Sequence, residues 1–338
     1  MKKSSTLGEL ALIESIRRRP QRMNRAVRMG IGDDCALLRL RRGEELAVTT
    51  DFSLEGIHFR RDWHAPEQAG HRCLARGLSD LAAMGATPVA AFLSLAAPAE
   101  LTRSTGRMKS WVGRFLDGLL ALAAAHKVVL AGGDTACFSS VAADIVLTGS
   151  VRQGKALLRS TARAGDIVYV TGALGGAAAE LLAVERDPRL SMRLIQAASG
   201  HPHLFPEPRL AVGRSLVTRG LATAGMDISD GLSTDLHHLC EESRLSAEID
   251  AAAIPLHPLA AEAERSGHAA SALALALHGG EDYELLFTAS PKAKIPGKIA
   301  GVAIHPIGRM LRRGSGVQLR TGKTRTPLAP QGWEHFRR

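Results

Sequence analysis

Residues 226–243 read MDISDGLSTDLHHLCEES. Met226 to Ile228 form a short apolar run that reads as a strand, Asp230-Gly231 reads as a turn, and a helix is predicted over 231–243. Two acids, Asp227 and Asp230, fall at the junction. Burying an unpaired carboxylate is costly, so acids set at the end of an apolar strand must face a compensating charge.

The same arrangement recurs outward along the chain. RSTARAGDIVYVTGALGG (159–176) starts a strand and turns into a helix near 175–186. ELAVTTD (45–51) reads as a strand ending in an acid. A helix follows over 67–85, with Cys73, Leu74, Leu78, Leu81 and Ala82 on one face. Further strands are predicted over 90–96, 127–131 and 143–151, and a helix over 107–126. The strand at 127–131 runs into Gly132-Gly133-Asp134. A helix is expected after the proline-rich HPHLFPEP (201–208), and a final strand pair over 283–308. Thr6-Leu7-Gly8-Glu9 reads as a capping box opening the first helix, which carries Leu12, Ile13 and Ile16. Strands alternate with helices in both halves, which predicts α/β or α+β layers. A composition break near 152–163 divides the chain into domains at 1–152 and 153–338.

The 338 residues suit two domains, each with a sizeable core. Net charge is +10, but the basic residues are dispersed and not interleaved with aromatics, so a solvated surface is expected and no nucleic-acid platform. The four cysteines show neither CxxC nor zinc spacing and read as reduced thiols of a cytoplasmic protein. No run approaches the roughly 20 apolar residues of a membrane span, and Glu9 and Glu14 interrupt the N-terminal stretch where a signal peptide would be apolar.

The acids form a set: Asp33-Asp34 in GIGDDCALL, Asp51 in TTD, Asp80 in LSDLAAMGA, Asp134 in GGDT, Asp227 and Asp230, and Glu281-Asp282 in GGEDYELLF. Any one of them is open to an ordinary reading as a helix cap or turn residue. Six clusters in both halves point instead to oxygen ligands for a hard cation, Mg²⁺ before a transition metal. A P-loop is absent: Gly322-Lys323-Thr324 resembles its tail, but Val317 stands where its leading glycine belongs. Backbone N–H groups near Gly132-Gly133 and at helix N-termini, with Arg159, are candidate phosphate contacts.

GIGDDCALL, VTTDFSLEGIHF (48–59), LSDLAAMGATP (78–88), LAGGDT (130–135), ARAGDIVYVTGALG (162–175), MDISDGLSTDL and GGEDYELLFT (279–288) resemble, in this order, the thiamine-monophosphate kinase family. That family is a branch of the superfamily of aminoimidazole ribonucleotide synthetase, selenophosphate synthetase and hydrogenase maturation factors. The resemblance implies an N-terminal mixed sheet that pairs in a homodimer, a C-terminal α/β domain that closes over it, and ATP in the cleft between. It implies Mg²⁺-assisted transfer from ATP to thiamine monophosphate. It also implies roles. Asp34, Thr49, Thr50, Asp51, Asp80, Asp134, Asp227 and Asp230 match metal ligands, of which Asp51, Asp80 and Asp230 stand nearest the chemistry. Thr49, Gly133, Arg159 and Ser229 match nucleotide contacts, and His58, Glu281 and Trp333 match substrate contacts. Asp34 is expected to face the metals and Asp33 the structure behind them.

Two positions depart from the family pattern: Gly77 stands where Asn is frequent, and Ala136 where a second Thr follows GGDT. Rival readings are a relative that activates an amide, formyl or carbamoyl oxygen with ATP, and a non-catalytic nucleotide or nucleic-acid binder. The first cysteine, Cys35, lies inside the acidic stretch and not in a glycine-rich N-terminal segment, which opposes the selenophosphate branch. The acids oppose nucleic acid, since carboxylates repel a phosphodiester backbone.

Overall fold

A computed structural model of the chain describes residues 9–19, 21, 24–31, 35–104, 109–196 and 200–333. The chain divides into two compact units. The first comprises Met1–Leu78, Pro88–Ser150 and Val184–Ser199, the second Ser79–Thr87, Val151–Ala183 and Gly200–Arg338.

In the first unit α1 (Glu9–Arg17), β1 (Val27–Met29) and β2 (Leu37–Leu38) precede the long strand β3 (Glu44–Leu54). The capping box expected ahead of α1 lies outside the described residues. Then come α2 (Pro66–Ala83), β4 (Thr87–Ala97), α3 (Trp111–His126), β5 (Val129–Cys137) and β6 (Ala142–Arg152). The last turn of α2, from Ser79, counts with the second unit. The strands β3, β4, β5 and β6 form one sheet in the order β3-β6-β4-β5, which leaves β3 and β5 at its edges. The apolar face predicted for α2 is buried with Phe115, Leu116 and Leu119 of α3. Ser110 caps α3 by accepting the Gly113 N–H at 3.0 Å, and Lys127 ends it in the left-handed conformation at φ 60°.

One strand differs from its sequence reading. β5 does not stop before Gly132 but runs through the Gly-Gly-Asp stretch, pairing in parallel with β4 and setting Asp134 opposite Ser94. Ladder hydrogen bonds to a continuous partner override the weak strand preference of two glycines.

The second unit contains β7 (Ile167–Thr171), α4 (Gly176–Arg186), α6 (Leu210–Thr218), β8 (Ala224–Ile228), α7 (Leu232–Ser243), β9 (Ser246–Asp250), α8 (Pro258–Arg265), α9 (Ala272–His278) and β10 (Glu284–Ala289). The short α5 (Arg189–Met192) between α4 and α6 counts with the first unit. β11 (Lys298–Ile299), β12 (Val302–Leu311), β13 (Val317–Thr321) and β14 (Thr324–Pro327) complete the unit. Its sheet runs β14-β13-β9-β12-β7-β10-β8, with β11 on β12. The strands expected over 283–308 are therefore not a pair. β7 lies between β10 and β12 and is antiparallel to both. The sheet core is built from Val168, Val170, Met226, Ile228, Leu236, Leu286 and Met310.

Candidate functional site

The second unit gathers most of its predicted acids around the end of β8. Asp227 lies in β8, every residue of which is buried, and its Oδ2 accepts a hydrogen bond from Ser79 Oγ at 2.7 Å. Burial, together with the charge of Asp80, pushes the Asp227 carboxyl up to about 7, against the opposing pull of Ser79 and Arg159. Carboxylates that raise one another in this way are both held ionised when a cation joins them. Arg159 sits on a one-turn helix whose main chain is tied to α7, because Ser243 Oγ donates to the Arg159 carbonyl at 2.6 Å.

Past β8 the chain turns through Ser229, Asp230 and Gly231. Asp235, one turn into α7, takes the N–H groups of all three on its Oδ2, at 3.1, 3.2 and 3.1 Å. Burial and the charges of Asp227 and Asp230 hold the Asp235 carboxyl well above the ordinary range. Asp230, Asp235 and His238 each present one ligand atom, all within 4.8 Å of one another. Two more segments dock on this turn. The Glu281 N–H donates to the Ser229 carbonyl at 2.7 Å, and the Trp333 N–H to the Asp230 carbonyl at 3.2 Å. Ser229, Asp230, Glu281 and Trp333 are thus brought together by backbone contacts. Trp333 is 55% exposed. Asp282 turns inward and caps α4, accepting from the N–H groups of Gly175 at 2.7 Å and Ala177 at 3.1 Å.

In the first unit Thr49 and Asp51 lie on the inward face of β3, while Thr50 lies on the exposed face. Thr50 Oγ1 donates to Asp144 Oδ1 at 2.6 Å, and Arg76 Nε stands 4.0 Å from Asp51 Oδ1. Asp134 is exposed on β5 and accepts the Thr135 N–H at 2.8 Å. Gly133 has a φ of 145°, and a Cβ there would collide with the Leu93 carbonyl oxygen. His58 Nδ1 accepts the Leu54 N–H at 3.0 Å, so the proton of the neutral ring is on Nε2, a donor. Asp33 and Asp34 lie outside the described residues.

The chain matches two family models, AIR synthase related protein N-terminal domain at residues 32–151 and C-terminal domain at 163–314. It is 33% identical to the thiamine-monophosphate kinase of Haemophilus influenzae, over 98% of both chains. The chain belongs to the thiamine-monophosphate kinase family. Its structure is similar to that of thiamine-monophosphate kinase from Stenotrophomonas maltophilia K279a, with a TM-score of 0.73 at 33% identity, covering 91% of this chain and 94% of that one. It is also similar to AaThiL complexed with AMPPCP and TMP, with a TM-score of 0.73 at 29% identity over 99% of both chains. The two-domain mixture of helices and sheets expected from the sequence is the fold of this family.

Two acids of this thiamine-monophosphate kinase family member escaped sequence reasoning: Asp235, which gathers the turn, and Asp144, which holds Thr50; Asp282 was counted in the acidic set, but not as the cap of α4. The departure at Gly77 has a physical account. Gly77 faces the sheet, where a Cβ would come 2.7 Å from Leu147 Cδ1. Leu147 is fully buried and fills the space a side chain at 77 would need. Ala136 lies exposed on β5, and nothing in the structure explains it.

Proposed function

We propose that the chain transfers the terminal phosphoryl group of ATP to thiamine monophosphate, giving thiamine diphosphate and ADP, and that it does so in line with no phosphoenzyme. The observation that carries this reading is the Asp80–Asp227 pair in a member of the thiamine-monophosphate kinase family: a buried Asp227 carboxyl raised by the charge of Asp80 calls for a cation. The donors are oxygens, which suits Mg²⁺. Asp80, Asp227 and Asp230 are the proposed Mg²⁺ ligands of the second unit, and Thr49, Asp51 and Asp134 those of the first, with Thr50 offering its main-chain carbonyl because its side chain serves Asp144. Asp34 completes the proposed set from outside the described residues. Bound Mg²⁺ neutralises and aligns the phosphates of two polyanions, which is the main barrier to their approach.

The acceptor is a phosphate monoester with a second pKa of about 6, already largely dianionic at neutral pH. It needs no general base. Arg159 and the backbone at Ser229 and Gly133 face the nucleotide. Glu281 and Trp333 meet the thiamine rings, and His58 is assigned with them to the substrate. A relative has been solved with AMPPCP and TMP, which supports both ligands for this fold.

The row Leu46, Val48 and Phe52 is exposed on edge strand β3, and we assign it to a second copy of the chain in a homodimer. We keep the domain division at 1–152 and 153–338, although Ser79–Thr87 counts with the second compact unit and Val184–Ser199 with the first. Four free thiols fit a cytoplasmic setting, and no helix among the described residues is long and apolar enough to cross a membrane.

The test is to incubate the protein with Mg²⁺, ATP and thiamine monophosphate and to follow thiamine diphosphate by thiochrome fluorescence. ATP-dependent product that disappears in Asp51→Asn is expected. ADP and free phosphate without thiamine diphosphate would transfer the reading to the relatives that activate an amide or carbamoyl oxygen.

A further inference from the structure

His203 is buried in the second unit, outside every role assigned so far. Its Nδ1 lies 3.3 Å from Glu281 Oε2. Glu281 already has a pinned main chain: φ is +66°, a left-handed value unusual for a side-chain-bearing residue, and its N–H is held by Ser229. His203 is fixed in turn. Glu180 of α4 is buried, and its Oε2 accepts the N–H groups of His203 at 2.8 Å and Leu204 at 3.2 Å. Its Oε1 meets His201 Nδ1 at 2.6 Å. Asp282, next to Glu281, caps the start of the same helix.

The connections close a ring. From α4 one path runs through Asp282 to Glu281, and another runs through Glu180 and His203 to the Glu281 carboxylate. A glutamate has three side-chain torsions, and a carboxylate that must meet one edge of a heteroaromatic ring gains affinity when those torsions are set beforehand. We propose that His203 is a positioning residue for thiamine monophosphate: held by Glu180, it donates from Nδ1 to Glu281 and aims that carboxylate at the aminopyrimidine. The inference rests on Glu281 contacting thiamine monophosphate.

The two ideas separate by experiment. KM and direct calorimetric affinity for thiamine monophosphate, and KM for ATP, are measured for His203→Ala, Glu281→Gln and the double variant. His203→Ala is expected to weaken thiamine monophosphate about tenfold by both measures, with KM for ATP and kcat within twofold. In the Glu281→Gln background the same change should cost less than twofold, because the partner it positions is altered. His203→Asn, whose amide nitrogen takes the place of Nδ1, should recover most of the loss. His203→Gln, whose nitrogen reaches beyond it, should not. That Asn/Gln comparison decides the matter if the alanine variant fails to fold. Equal affinities for Asn and Gln, independent effects in the double variant, or a parallel loss of ATP and thiamine monophosphate would overturn the role of His203. An unchanged affinity in Glu281→Gln would overturn the substrate reading of Glu281, and the inference with it.

Discussion

Three backbone N–H groups converge on one oxygen of Asp235, and this sets the turn that carries Ser229 and Asp230. In the sequence Asp235 is a helix acid among Ser, Thr and His, with no spacing that separates it from a surface residue. Asp227 and Asp230 were legible because strand and turn chemistry placed them at a junction; Asp235 acts through the backbone, which sequence patterns do not display. Asp282 was visible in GGED only as half of an acidic pair, and alternation alone did not say which half turns inward. It is buried, and burial pushes its carboxyl up to about 7 despite its N–H donors. The folded value lies above the unfolded 3.8, so the folded state favours the proton. This contribution is fully present below the unfolded pKa and is lost as pH rises through 7. Asn at this position has no titration but leaves one N–H donor without its oxygen, a pH-independent cost of about 1–3 kcal/mol. Urea unfolding should show the parent's advantage over Asp282→Asn shrinking by roughly 2–3 kcal/mol between pH 5 and 8. A constant difference would mean that Asp282 is ionised throughout.

At the level of elements, α2, α3, β3, β4 and β6 were legible because each carries a long periodic run. The final strands were harder. β10 and β12 read as neighbours because they are consecutive long strands, yet the sheet inserts β7 between them, a non-local pairing that no local pattern encodes. β9, β13 and β14 are only four or five residues long and mix polar with apolar residues, and they were missed. The segment after β14 was read only for Trp333, and its tie to the start of α7 was not. Gly332 N–H donates to Thr234 Oγ1 at 3.0 Å, and Trp333 N–H to the Asp230 carbonyl. A Cβ on Gly332 would collide with that carbonyl and come 2.6 Å from Thr234 Oγ1. Gly332→Ala should therefore lift the strap and displace Trp333. Because the strap is exposed at Gln331 and Trp333, the melting temperature should fall by no more than about 3 °C, for a loss under about 1 kcal/mol. KM for thiamine monophosphate should rise several-fold. An unchanged KM would separate Trp333 from the substrate.

For the whole molecule, a charge of +10 favours separate chains in solution, so association must come from apolar surface. β3 supplies it. Its odd positions face the unit, and its even positions put Leu46, Val48 and Phe52 in water at 48, 60 and 60% exposure. An edge strand with such a row invites pairing, and soluble proteins usually break it with charge or cover it. Thr50 is the only polar residue in that row between 46 and 52, and it is engaged by Asp144. A homodimer with two-fold symmetry brings the same patch from both chains together, so each substitution counts twice. Val48→Lys with Phe52→Lys would place four cations in one interface. Sedimentation equilibrium at about 10 µM should give the parent twice the chain mass of 35.9 kDa and the double variant a single chain mass, with far-ultraviolet circular dichroism unchanged. A parent that sediments as one chain would leave the β3 row without its proposed partner.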